Sequence, residues 1–240
     1  MWCPGEERGR GRCVTSEDDA GVGAGTGYAR VYKMLGMPTE WSITQTIDAP
    51  THDDPTDGST APANYDNWGT IVDMSRDSLT VVVAATQYVL SSPAASGDGY
   101  IRVYKKLSDS DPYTMHCELP SYHTQPHASG IALESEGRFL VVGQSNQPYQ
   151  GGYEQGEVKV YDIRDTSCGQ WGNTILPPDS PSLGAPGNDQ ARWGFSVAIN
   201  APQSISASDP QIIAIGAIAE DSYRGWVRAY KGEAPAQGRG

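Results

Sequence analysis

Residues 99–105 read GYIRVYK, and the phrase returns three times: GYARVYK at 27–33, GEVKVYD at 156–162 and GWVRAYK at 225–231. Its tyrosines, Tyr32, Tyr104, Tyr161 and Tyr230, lie 72, 57 and 69 residues apart. A phrase recurring at that distance marks an array of small units rather than one compact enzyme core. Within the phrase the chemistry alternates. Tyr100, Arg102 and Tyr104 fall on one side of an extended chain, and Ile101 and Val103 on the other. One side is aliphatic; the other carries rings with an arginine whose stem can lie across them. Packing material on both sides suits a sheet held between two others.

The surrounding sequence repeats in step. Nine or ten residues after each of the first three tyrosines an aromatic opens another extended run: Trp41 (WSITQTI), Tyr113 (YTMHCEL) and Trp171 (WGNTIL). About thirty-five residues before a tyrosine, a glycine opens a further run, at Trp68-Gly69, Gly130 and Trp193-Gly194. Between that run and the tyrosine phrase lie short aliphatic segments, Val81-Val82-Val83, Leu140-Val141-Val142 and Ile212-Ile213-Ala214-Ile215. Four strands per repeat is the unit of a β-propeller blade. The expected fold is all-β, a partial β-propeller of four-stranded antiparallel blades, two whole and two partial.

The aromatic-glycine pair Trp193-Gly194, followed by a strand and then Gly216-Ala217-Ile218, resembles the FG-GAP repeat of integrin alpha-chain propellers. The chain is still more similar to FG-GAP-like proteins whose blades carry G-x-V-R-V-Y strands. Trp68-Gly69 with Ala84-Ala85-Thr86 follows the pattern, whereas Ser129-Gly130 with Gly143-Gln144-Ser145 departs from it. The resemblance spans about residues 20 to 231. It divides the chain into an irregular or disordered leader (1–20), propeller blades (21–231) and a disordered tail (232–240). The first repeat opens at its third strand and the last stops after its third, so the chain reads as a segment of a longer propeller or a truncated product. An open arc leaves flat apolar blade faces uncovered, and self-association through them is expected.

Composition fits a turn-rich all-β protein, with Gly 28 and Pro 17 and no sustained 3.6-residue period. No run is long enough for a transmembrane helix, so membrane insertion is not expected. The resemblance implies an extracellular or cell-surface setting; no signal peptide is visible. A net charge of -12 disfavours nucleic acid as a partner.

Candidate chemical sites are few. Cys3, Cys13, Cys117 and Cys168 have no C-x-x-C spacing and read as scattered thiols. His116-Cys117, His123 and His127 gather metal-ligand types within twelve residues, but at a spacing that matches no common zinc motif. Calcium is the ion the resemblance implies. Asp53-Asp54-Pro55-Thr56-Asp57-Gly58 has the oxygens at the wrong spacing, and Asp109 with Asp111 is a lone pair, so no metal or cofactor is assigned. No serine sits in a G-x-S-x-G elbow, and the glycine-rich 21–27 (GVGAGTG) opens a strand instead of a helix. No catalytic residue is assigned.

What varies is the loops. From outer-strand aromatic to the next inner glycine the gaps are 28, 17 and 23 residues, and the connections between second and third strands are long and polar. Loops on a rigid scaffold are where binding concentrates. Tyr149, Tyr153 and Tyr223 stand in such loops where no strand pattern explains an aromatic, and they are the candidate ligand-binding residues. The expected function is a non-catalytic platform for a protein or glycan ligand. The alternatives are the non-catalytic part, or a remnant, of a propeller-containing hydrolase, and a purely structural array.

Overall fold

The computed structural model describes residues 12–17, 27–34, 40–49, 68–85, 100–119, 129–145, 148–149, 153–154, 156–176, 192–200, 211–218 and 225–232. They are strands and turns without a helix, so no helix here is long and apolar enough to cross a membrane. In chain order the strands are β1 Arg12–Glu17, β2 Tyr28–Met34, β3 Trp41–Asp48, β4 Trp68–Met74, β5 Thr80–Ala85, β6 Tyr100–Lys105, β7 Thr114–Leu119 and β8 Gly130–Leu133. They continue with β9 Phe139–Gln144, β10 Pro148–Tyr149, β11 Tyr153–Glu154, β12 Glu157–Asp162, β13 Ser196–Ile199, β14 Gln211–Ala217 and β15 Trp226–Gly232. Every ladder between named strands is antiparallel. The sheets are β1-β2-β3, β4-β5-β6-β7, β8-β9-β12 and β13-β14-β15, with β10-β11 a separate hairpin. Each main sheet meanders in sequence order, the topology of a propeller blade.

The chain divides into two compact units, Met1–Ala128 with Ile163–Cys168, and Ser129–Asp162 with Gly169–Gly240. In the first unit the two faces of the tyrosine phrase find different neighbours, as the alternation predicts. The aliphatic face of the first sheet, Ala29 and Val31 with Ile47, forms one core with the ring face of the second, Tyr100, Tyr104, Val81 and Val83. Trp68 is the wedge between them. It stacks on Tyr100 at 5.3 Å, meets Tyr104 edge-on at 6.4 Å and donates its indole N–H to the carbonyl of Ile47 at 3.2 Å. Gln45 of β3 adds a polar clasp, accepting from the amide of Tyr113 at 2.8 Å and donating to its carbonyl at 3.0 Å.

The second unit repeats the construction. Val158, Val160 and Val141 of the third sheet share a core with Ile213, Ile215 and Tyr230 of the fourth, around the fully buried Trp193. Trp193 stacks on Trp226 at 4.7 Å, meets Tyr230 edge-on at 6.0 Å and donates to the carbonyl of Ile175 at 3.2 Å. In both units a glycine of the preceding sheet lets the wedge come close. Gly27 (φ 66°) and Gly156 (φ 81°) lie against the backbones of Trp68 and Trp193, where a Cβ would collide with a carbonyl oxygen. The two units part at the one complete repeat whose opening, Ser129-Gly130, has no tryptophan.

In three of the four phrases the cation lies over the ring two residues earlier, as same-face alternation allows; in the third, Lys159 meets Glu157 instead. Arg30 sits 4.3 Å from the ring of Tyr28, Arg102 5.5 Å from Tyr100 and Arg228 5.3 Å from Trp226. Burial pushes the Tyr104 phenol above its ordinary pKa.

Two expectations are corrected. Residues 12–17, read as part of an irregular leader, form β1 and pair along the whole of the first tyrosine phrase, Cys13 opposite Tyr32 and Thr15 opposite Arg30. Val14 and Thr15 supply local strand propensity that the surrounding Gly/Arg-rich composition hid. The run opened by Trp171 is no continuous strand; its backbone pairs with the third sheet at isolated bridges, Tyr161↔Gln170 and Val158↔Ile175, and the Trp171 ring packs on Phe139. Gly172 turns there at φ 74° and interrupts the ladder. The remaining residues of the leader, and the tail beyond Gly232, lie outside the described residues.

Tyr104 is 9% exposed. Tyr104→Ala is expected to cost about 3 kcal/mol or more, since it removes an aromatic from a packed core. Leu107→Ser, at a side chain 95% exposed, is expected to change little. Chemical denaturation of the two variants checks the difference.

Candidate ligand-binding site

In the third sheet β9 ends at Gln144 and β12 begins at Glu157, and these two residues are register partners. The loop between them therefore leaves and re-enters the sheet at a fixed neck. The neck is held firmly. Ser129 donates its backbone N–H to the carbonyl of Gly143 at 2.8 Å, and its hydroxyl accepts from the amide of the buried Ser145 at 2.6 Å. On the other side, Lys159 is buried with its ammonium 2.5 Å from Glu157 and 3.4 Å from the side-chain oxygen of Gln144. Above the neck the loop folds back on itself: β10 and β11 pair antiparallel, with Pro148 opposite Glu154 and Tyr149 directly opposite Tyr153. Two of the three tyrosines chosen from sequence thus become cross-strand partners in one small ladder. Tyr223 lies outside the described residues.

The other sequence candidates are taken up by structural roles or lie outside the described residues. Cys117, half of the suggested soft-ligand pair with His116, is in a disulfide with Cys168, 51 residues away, the Cα atoms 6.3 Å apart. The reading of these two cysteines as unpaired thiols is overturned. Their pairing was not legible because it depends on a turn, residues 163–168, being delivered to the middle of β7. Two more side chains hold that turn in the first unit. Lys105 donates to the carbonyl of Ile163 at 2.6 Å, and the Nε2 of His116 lies 3.1 Å and 3.0 Å from the carbonyls of Ile163 and Asp165. Those contacts need a protonated Nε2, so that nitrogen donates rather than ligates. Burial first, and Lys105 second, hold the imidazole below its ordinary pKa.

His123, His127, the 53–58 acidic loop, Cys3 and residues 21–26 lie outside the described residues, as does the side chain of Cys13. Asp109 faces Lys106, and Asp111 accepts from Ser108 at 2.7 Å within one turn. Sequence reasoning missed Glu134. It is fully buried at the β8–β9 turn and binds Arg138 at 3.1 Å and the hydroxyl of Ser135 at 3.1 Å. Its counterpart in the second sheet is Ser75, whose hydroxyl bonds Asp77 and the amide of Thr80. Both are turn-closing groups: the amide of each donates to the carbonyl across the turn, Phe139 for Glu134 and Thr80 for Ser75.

No protein-family pattern matches the chain, and no curated protein sequence does. Among solved structures it is similar to a periplasmic gluconolactonase of Pseudomonas aeruginosa (16% identity, TM-score 0.43, 91% of this chain and 49% of that one). It is similar to hydrazine synthase of Kuenenia stuttgartiensis (12%, 0.45, 93% and 56%). It is also similar to the beta-propeller domain of Cps50 (Swd1) from Myceliophteria thermophila (8%, 0.33, 84% and 64%). The chain spans less than two thirds of the length of each.

The disulfide yields a direct expectation. Without reductant, Cys117 and Cys168 should resist alkylation and appear as one linked peptide pair by mass spectrometry. Cys168→Ala should lower stability by about 2–4 kcal/mol, the usual effect of losing a native crosslink. Free, alkylated Cys117 in the native protein would contradict the pairing.

Proposed function

We propose that the chain is a non-catalytic binding platform that recognises a protein or glycan through the loops between the second and third strands of its blades. The observation that supports this best is the β10–β11 hairpin, a loop with its own ladder, rising from a buried, hydrogen-bonded neck and setting Tyr149 opposite Tyr153. Tyrosine offers a large apolar area, a polar tip and little rotamer entropy to lose, which suits an anchor for sugar faces or peptide side chains.

We extend the proposal to kinship with the FG-GAP-like repeats. It is supported by the part played by Trp68-Gly69 and Trp193-Gly194, where the aromatic wedges the sheets and the glycine adopts φ of 90° and 85°. A buried disulfide also suits an oxidising, extracellular setting.

Screening on a glycan array and by pull-down provides the ligand. Tyr149→Ala and Tyr153→Ala are then expected to weaken binding by roughly tenfold or more without moving the thermal midpoint. Unchanged affinity in both, with loss on substituting the 135–137 turn at the opposite end of the same strands, would move the site to that end.

A further inference from the structure

The outer edge of the phrase strand is paired in the first three repeats. β2 is flanked by β3, and β6 by β7. β12 has no continuous strand beside it, yet its edge is used: the amides of Val158 and Asp162 donate to the carbonyls of Ile175 and Gly169, and the carbonyl of Val160 accepts from Trp171. The fourth repeat differs. β15 has β14 on one edge, and among the described residues no strand or bridge lies along the other.

Hydrogen bonds within the last sheet show which backbone groups of β15 face that edge. The carbonyls of Ile212 and Gly216 accept from the amides of Asn200 and Gly194 on the β13 side, so the alternate residues Ile213, Ile215 and Ala217 turn theirs towards β15. Their register partners Tyr230, Arg228 and Trp226 take those bonds. The N–H and C=O groups of Val227, Ala229 and Lys231 therefore point outward. They occupy the places of Val158, Val160 and Asp162 in the third phrase, where the same edge is bonded. The side chains here are open as well: Val227 is 71% exposed, and Ala229 and Lys231 are exposed.

An edge of this kind is a template for another strand, and β15 is complementary to itself. Ala229 is the midpoint of Trp226–Gly232, so an antiparallel pairing of two copies over the full strand sets Ala229 opposite the partner's Ala229. The outward groups then face one another throughout. Val227 meets the partner's Lys231, and Arg228 meets the partner's Tyr230, a guanidinium beside a ring as in the first, second and fourth phrases. Sliding by one residue would set outward groups against inward ones. Sliding by two shortens the ladder and, in one direction, puts Arg228 directly opposite the partner's Arg228.

We propose that β15 pairs antiparallel with β15 of a second copy, joining the two β13-β14-β15 sheets into one continuous sheet. The contact is isologous, so it closes at a dimer.

Analytical ultracentrifugation of the full chain across micromolar concentrations tests this. The unmodified chain should show a monomer–dimer equilibrium with the dimer as its end point. Val227→Lys, at an exposed side chain, sets like charges opposite each other twice and should weaken the dimer by roughly tenfold or more. Adding Lys231→Glu in the same chain should restore it, because the paired positions then carry opposite charges. Ala229→Pro removes an outward N–H that takes no part in the β14 ladder, and should give a monomer with a native melt; should that variant not fold, the charge pair still decides. A monomeric unmodified chain, or assemblies that grow beyond the dimer, would overturn the proposal. So would a dimer indifferent to Val227→Lys, or one that Lys231→Glu does not restore.

Discussion

The buried tryptophan wedge is the interaction on which the rest of the structure depends. A three- or four-stranded sheet has two faces and cannot shelter both, so each blade is stable only as far as its neighbours cover it. In each unit one indole sits at the centre of that cover. It fills the gap between sheets with its ring system, stacks on the aromatic of its own blade and satisfies its single polar atom on a carbonyl of the preceding blade, Ile47 for Trp68 and Ile175 for Trp193. Burying an indole without a partner for its N–H would forfeit part of the gain. Gly27 and Gly156 complete the arrangement by bringing two backbones closer than any Cβ would allow.

Several ionisable groups in the described blades serve this architecture. Arg102 pairs with Glu118 at 2.6 Å on the ring side of the second sheet, Lys159 closes a loop neck, Glu134 closes a turn, and His116 and Lys105 hold the turn that carries Cys168. Cys168 itself has φ of 44°, uncommon for a residue with a side chain, and its disulfide and the buried position of Ile163 pin that turn in place. The scaffold is stiff at the strand ends, which is the condition for loops to present side chains in a defined geometry.

The strands and their faces were legible in the sequence because period-two alternation is local and the repeat reports it four times. Tyr104 inside, Arg102 across a ring and the aliphatic triplets as second strands all follow from residue spacing alone. What escaped was set by distant partners. β1 is short and becomes a strand by pairing with Tyr28–Met34. The Cys117–Cys168 bond depends on where a turn 51 residues later arrives. The Trp171 run lost its ladder to a positive-φ glycine within it. Of the candidate site, the sequence marked the tyrosines as unexplained aromatics, but the opposition of Tyr149 and Tyr153 arises from a hairpin no motif announces.

The central claim, that close backbone approach at the phrase glycine joins neighbouring blades, is tested most directly by comparing two alanine substitutions in urea denaturation. Gly156 and Gly172 have similar dihedrals, φ 81° and 74°; an added Cβ at Gly156 would meet the backbone of Trp193, whereas one at Gly172 meets nothing within 4 Å. Gly172→Ala should cost about 1 kcal/mol, the strain of a left-handed alanine. Gly156→Ala should cost about 1–3 kcal/mol more, from forcing the wedge away. Equal losses in the two variants would contradict the account.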